Sequence, residues 1–313
     1  MSNEINISGI DSTLVDESQN LAQTNTSSPQ LLKNKKIAIS VSVNEDLCKL
    51  GFSEQHLNDI SLEIARYVLI NDGIAMYCGD LREGGFTKYF TDLSNQYKKP
   101  DDEVYRFKNY FAYPYKKNLT RNVLIDFKSK KIDVVIMPPP SNITYDDEKK
   151  YDVNNIVEDR YTYCECFREM REKVSKESDA RIVIGGKVEN YLGYVPGILE
   201  EALYSLIENK PVYIIGGFGG AAKEIVNILE GKEAKEFRND KQYSNDFLIQ
   251  FKNYISDKYP FYDYDTLLDR LKSFTIHEIS ANNKLSIEEN VKLFHSTNIH
   301  EITYYLIKGL KKL

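Results

Sequence analysis

The sequence predicts an α/β fold, a parallel sheet with helices on both faces and a helical C-terminal extension. Three observations predict it. Short β-branched runs alternate with segments of helical period over residues 36–230, the pattern of strand–helix–strand units. Two of these runs, Arg181–Ile184 and Val212–Ile215, each end in a Gly-Gly pair that leads through a loop into a helix-like segment. A related loop, Gly79-Asp80-Leu81-Arg82-Glu83-Gly84-Gly85-Phe86-Thr87, follows the apolar run Ile74–Cys78.

The elements follow in order. Residues 1–35 are rich in Ser, Asn, Thr and Gln and read as a disordered tail. Lys36–Val43 is the first strand. Ser53 reads as an N-cap, and Leu57, Ile60, Ile64 and Val68 repeat at helical spacing up to Gly73. Ile74–Cys78 is the second strand, and a helix follows from about Phe86 to Tyr97. Val104–Tyr113 reads as a third strand, Leu119–Phe127 as a helix and Ile132–Met137 as a fourth strand that Pro138-Pro139-Pro140 terminates. A long helix is expected over Val157–Ser175, with Tyr161, Cys164, Phe167 and Met170 on one face. The two Gly-Gly units then complete a Rossmann-like domain over 36–230. Residues 231–313 read as a helical subdomain with helices at Ser244–Ser256, Tyr264–Ser273, Ser286–Ser296 and Asn298–Leu313.

A chain of 313 residues can bury a full core, and its net charge of −6 argues against general nucleic-acid binding. Cys48, Cys78, Cys164 and Cys166 lack a zinc spacing and read as reduced thiols of a cytoplasmic protein. The histidines are scattered, so neither a metal nor a cofactor is expected. No apolar run is long enough to span a membrane.

In a parallel sheet, glycine loops at the carboxyl ends of strands let backbone N–H groups approach an anion. The ligand-binding residues expected on this ground are Gly79, Asp80, Arg82, Gly84, Gly85 and Thr87 in the first loop, Gly185, Gly186 and Lys187 in the second, and Gly216, Gly217, Gly219 and Gly220 in the third. Arg82, Arg171 and Lys187 are placed to neutralise phosphate, and Tyr191 and Tyr194, either side of Gly193, could stack on a base. Pro196-Gly197-Ile198-Leu199-Glu200-Glu201 opens a helix with two adjacent carboxylates. They read either as helix punctuation or as a carboxylate for N-glycosidic cleavage. The absence of GxxxxGK[ST], of GxGxxG at the first strand, of GxSxG and of HExxH leaves no support for P-loop, dehydrogenase, serine-hydrolase or zincin chemistry.

YCGDLREGGFT (77–87), REMREK (168–173), DARIVIGGK (179–187), GYVPGILEEAL (193–203) and PVYIIGGFGGAAKEI (211–225) together resemble the SLOG superfamily, in particular its bacterial stand-alone members from nucleotide-signalling and anti-phage systems. This resemblance implies one of two activities. Some relatives sense ADP-ribose-like, NAD-derived nucleotides; others, the lonely-guy enzymes, are nucleoside-monophosphate phosphoribohydrolases. On the enzymatic alternative Glu201 matches the catalytic Glu and Arg171 the catalytic Arg. Ile184, Ile198 and Glu172 stand where that enzyme motif has Pro, Thr and Lys. The resemblance also implies a homo-oligomer and, for a sensor, a separate effector protein.

Overall fold

The computed structural model describes residues 31–98 and 103–313, and residues 31–313 form one compact unit. Most of the expected N-terminal tail therefore lies outside the described residues. Residues 31–35 depart from that expectation: they form a turn in which Leu32 is buried and its N–H donates to Asn71 O.

Six strands form one parallel sheet: β1 (Lys36–Ser42), β2 (Ile74–Cys78), β3 (Phe107–Phe111), β4 (Ile132–Ile136), β5 (Ala180–Gly185) and β6 (Val212–Ile215). Their order is β4-β3-β2-β1-β5-β6, with every pairing parallel. The helices of the sheet region are α1 (Asp46–Lys49), α2 (Glu54–Ile70), α3 (Phe86–Gln96), α4 (Arg121–Ser129), α5 (Val157–Glu177), α6 (Gly197–Ile207) and α7 (Gly220–Leu229). The C-terminal run is α8 (Asn239–Gln242), α9 (Asp246–Ile255), α10 (Tyr264–Lys272), α11 (Ile276–Asn283), α12 (Ile287–His295) and α13 (Ile299–Leu310).

The period-2 alternation of the strands divides the core between two faces. Ile37, Ile39, Val41, Ile182, Ile184 and Ile215 point to the face covered by α2, α3 and α13. On the opposite face Ala38, Met76 and Tyr110 pack on Phe167, Met170 and Val174 of α5. Val183 and Ile214 on that side pack on Leu199, Ala202 and Leu203 of α6 and on Ile225 of α7. Each of these fully buried Ile, Val and Leu side chains contributes about 1.5–3 kcal/mol from area alone.

Some boundaries differ from the sequence reading. β3 is shorter at both ends than expected; at its C-terminal end Pro114 helps start a 3-10 turn over Tyr113–Asn118. α11 was not expected, although Thr275 and Glu278 form a capping box at its start. The C-terminal helices pack closely on the sheet: Gly216 N–H donates to Phe294 O of α12, and Tyr213 of β6 donates to Asn283 O of α11.

Candidate functional site

The strand order reverses between β1 and β5, and in such sheets ligands lie beyond the carboxyl ends of the strands at that reversal. A cleft of about 200 Å³ opens there. Its floor is Val41 and Ser42 from β1, Cys78 at the end of β2 and Gly79 and Asp80 after it, and its far wall is Lys187 with Gly197, Ile198 and Glu201 of α6. Phe167, Met170 and Arg171 of α5 close one side.

The residues expected from sequence divide into two groups. Gly79, Asp80, Arg82, Arg171, Lys187 and Glu201 all line this cleft. The remaining glycines and Thr87 do not. Gly84 and Gly85 turn the chain into α3, and Thr87 is buried, its Oγ1 accepting from Asp80 N–H at 3.2 Å. Gly185 and Gly186 have φ of +64° and +99°, and a Cβ on Gly185 would lie 2.7 Å from Ser42 O, so this pair serves the turn out of β5.

The Gly216–Gly220 loop corrects the expectation of a third phosphate loop. Its N–H groups at Gly216, Gly219 and Gly220 donate to Phe294 O, Gly216 O and Asp46 Oδ2. The protein's own Asp46 carboxylate thus sits at the N-terminus of α7, where an anion would bind. Tyr194 is a second correction. It is buried and stacked on Tyr259 at 4.0 Å, with its hydroxyl donating to Glu165, and it is closed to any base. Tyr191, in contrast, lines the cleft.

The helix end that does face the cleft is that of α6. Pro196 stands at its N-cap, and among the described residues no side chain caps it. The first free N–H groups of a helix carry partial positive charge, so this end favours an anion.

Beneath the cleft lies a buried ionic network. Arg181, inside β5, donates through Nη1 to Glu201 Oε2 at 2.9 Å and through Nε to Ser205 Oγ at 2.6 Å. Ser40 donates to the same Glu201 oxygen. Arg171 pairs with Glu200, which Tyr259 also contacts at 2.9 Å, and its Nε lies 3.8 Å from Glu201 Oε1. Burial works to lower Arg171, but the carboxylates of Glu200 and Glu201 outweigh it and hold the guanidinium charged. Burial pushes the Glu200 carboxyl up, against the pull of Arg171. The thiol of Cys78 is driven well up, first by burial and then by Glu201, so it stays protonated and is a poor nucleophile.

Arg181, Ser40 and Asp46 were not singled out from sequence. For Arg181 there was a signal, a charge inside an otherwise apolar strand, which in a buried position demands a partner. Among the described residues there is no cluster of metal-ligating side chains and no helix long and apolar enough to cross a membrane.

Fold and site together define a Rossmann-like α/β protein with a cation-bearing cleft at the strand-order reversal. A family model, SLOG cluster2, matches residues 31–293, and the chain belongs to that family. Membership points to a nucleotide-related function. No curated protein matches the chain.

Proposed function

We propose that the protein binds an ADP-ribose-like or other NAD-derived nucleotide in this cleft, as a ligand sensor in defence or stress signalling. The observation that carries the reading is the charge balance. Three carboxylates, Asp80, Glu200 and Glu201, are each paired with a guanidinium, from Arg82, Arg171 and Arg181 respectively. Lys187, beside the uncapped end of α6, has no ion-pair partner among the described residues, so the site keeps one positive charge for a phosphate. On this reading the sensor works as a homo-oligomer, and a separate effector protein responds to the ligand-bound form.

A second reading, N-glycosidic hydrolysis of a nucleoside monophosphate, is favoured by one observation. Glu201 and Arg171, the two residues the enzyme motif requires, both line the cleft, with Arg171 Nε 3.8 Å from Glu201 Oε1. Against it, Glu201 Oε2 is held by both Arg181 and Ser40, which drains the negative potential an oxocarbenium-like centre needs.

Incubation with AMP, NAD, ADP-ribose and cyclic ADP-ribose isomers, followed by thermal shift and chromatography, separates the readings. A sensor is stabilised with every nucleotide intact. Release of a free base that Glu201→Gln abolishes supports the hydrolase. Stabilisation by none of the nucleotides overturns both.

A further inference from the structure

A larger cavity, of about 580 Å³, adjoins the cleft and shares Tyr191 with it as a wall. The Val188–Leu192 segment, the start of α5 and the chain from α8 into α9 enclose it. Two of its lining side chains are more than nine-tenths buried, and each keeps a polar atom without a partner.

The first is Arg160, in the opening turn of α5 and 7 % exposed. Its Nη2 donates to Tyr191 O at 2.9 Å, and the guanidinium lies over the Phe251 ring. It pairs with no carboxylate among the described residues, and its Nε is buried and unbonded. The second is Gln242, 6 % exposed. Its Nε2 donates to Tyr194 O at 3.0 Å, which fixes the orientation of the amide and leaves Oε1 buried with no donor. Of the other charges on the wall, Asp240 pairs with Arg238, Lys241 pairs with Glu236, and Glu189 is exposed.

A buried cation without a counter-charge and a buried acceptor without a donor are both costly. A ligand that brings an anion and an adjacent hydroxyl or amino group removes both costs at once. We infer that this cavity is a second anion subsite, in which Arg160 meets a phosphate and Gln242 Oε1 accepts from a hydroxyl or amino group. It takes the distal half of a two-part nucleotide whose first half occupies the cleft. That pairing of halves rests on the proposed nucleotide reading, whereas the anion subsite itself does not.

The test is calorimetric titration of the full chain with AMP, ADP-ribose and inorganic phosphate, using wild type, Arg160→Gln and Gln242→Glu. The second variant leaves Arg160 in place and puts a negative charge on the wall of the same cavity, so it reports on the subsite even where Arg160→Gln fails to fold. ADP-ribose affinity is expected to fall about tenfold or more in both variants while AMP stays within about twofold, since a desolvated phosphate–guanidinium pair is a strong contact. Unchanged ADP-ribose affinity in Gln242→Glu, or an equal loss of AMP and ADP-ribose, overturns the two-subsite assignment. Where wild type binds neither nucleotide, the proposed function fails first. Inorganic phosphate then decides the subsite: binding to wild type but not to Gln242→Glu sustains it, and no binding to wild type overturns it.

Discussion

Arg181, from the interior of β5, and Glu201, from α6, form an ion pair at 2.9 Å with the arginine 1 % and the glutamate 7 % exposed. The pair ties the cleft wall to the sheet, because Glu201 is both a network member and a lining residue. A buried pair of this kind contributes little over an apolar replacement, but it is costly to break.

Arg181→Met is therefore expected to destabilise the fold by about 3–5 kcal/mol, the range for leaving one buried charge uncompensated. Adding Glu201→Leu to that background is expected to recover part of the loss. Urea denaturation midpoints of the single and double variants check this. Equal stability of wild type and Arg181→Met would show that Glu201 has another adequate partner.

Asp46 holds the N-terminus of α7 through Gly220 N–H at 3.1 Å. Burial works to raise its pKa, and the Gly220 N–H, Lys49 and Lys223 outweigh it, so the carboxyl lies below its ordinary 3.8. A depressed folded-state pKa stabilises above the unfolded value and is lost as pH falls through the folded one. Asp46→Ala is expected to cost about 1 kcal/mol at neutral pH, as loss of a cap does. The difference from wild type should narrow below pH 3.8. Thermal melts at neutral pH and in acid measure it, and a difference that persists unchanged in acid would contradict the assignment.

Gly217 tests the role of the third glycine loop. A Cβ there would lie 2.3 Å from Ser296 O and 2.8 Å from its carbonyl carbon, both backbone atoms. Gly217→Ala should destabilise by about 1–3 kcal/mol through overpacking while ADP-ribose affinity is unchanged. Lost affinity at full stability would return this loop to the ligand site.

Much of the fold could be read from the residues, because β1, β4, β5 and β6 are β-branched runs and glycine or proline closes β2, β4, β5 and β6. β2 and β6 match the expected Ile74–Cys78 and Val212–Ile215 at both ends. The short α1 and α8 carry too few residues for a helical period and escaped notice. Of the residues singled out from sequence, the charged Asp80, Arg82, Arg171, Lys187 and Glu201 line the cleft, whereas among the expected glycines Gly79 does. Lys187 and Arg82 reach the cleft since they lie in the loops that leave β5 and β2. Gly217 and Gly220 look like phosphate glycines, but they are small because Ser296 and Asn44 press against them. Those contacts come from distant parts of the chain, and no local pattern announces them. The uncapped α6 N-terminus and the Arg181 network were hidden for the same reason: a helix end or a strand charge gains meaning only from what faces it.

The central claim is that the unpaired charge of Lys187 holds a nucleotide phosphate. Calorimetric titration of ADP-ribose into wild type and Lys187→Ala, with the nucleotide recovered and chromatographed afterwards, tests it most directly. The account predicts binding to wild type, affinity about tenfold weaker in the variant for loss of one charge-assisted contact, and intact ADP-ribose from both. Equal affinity in the two proteins would contradict it.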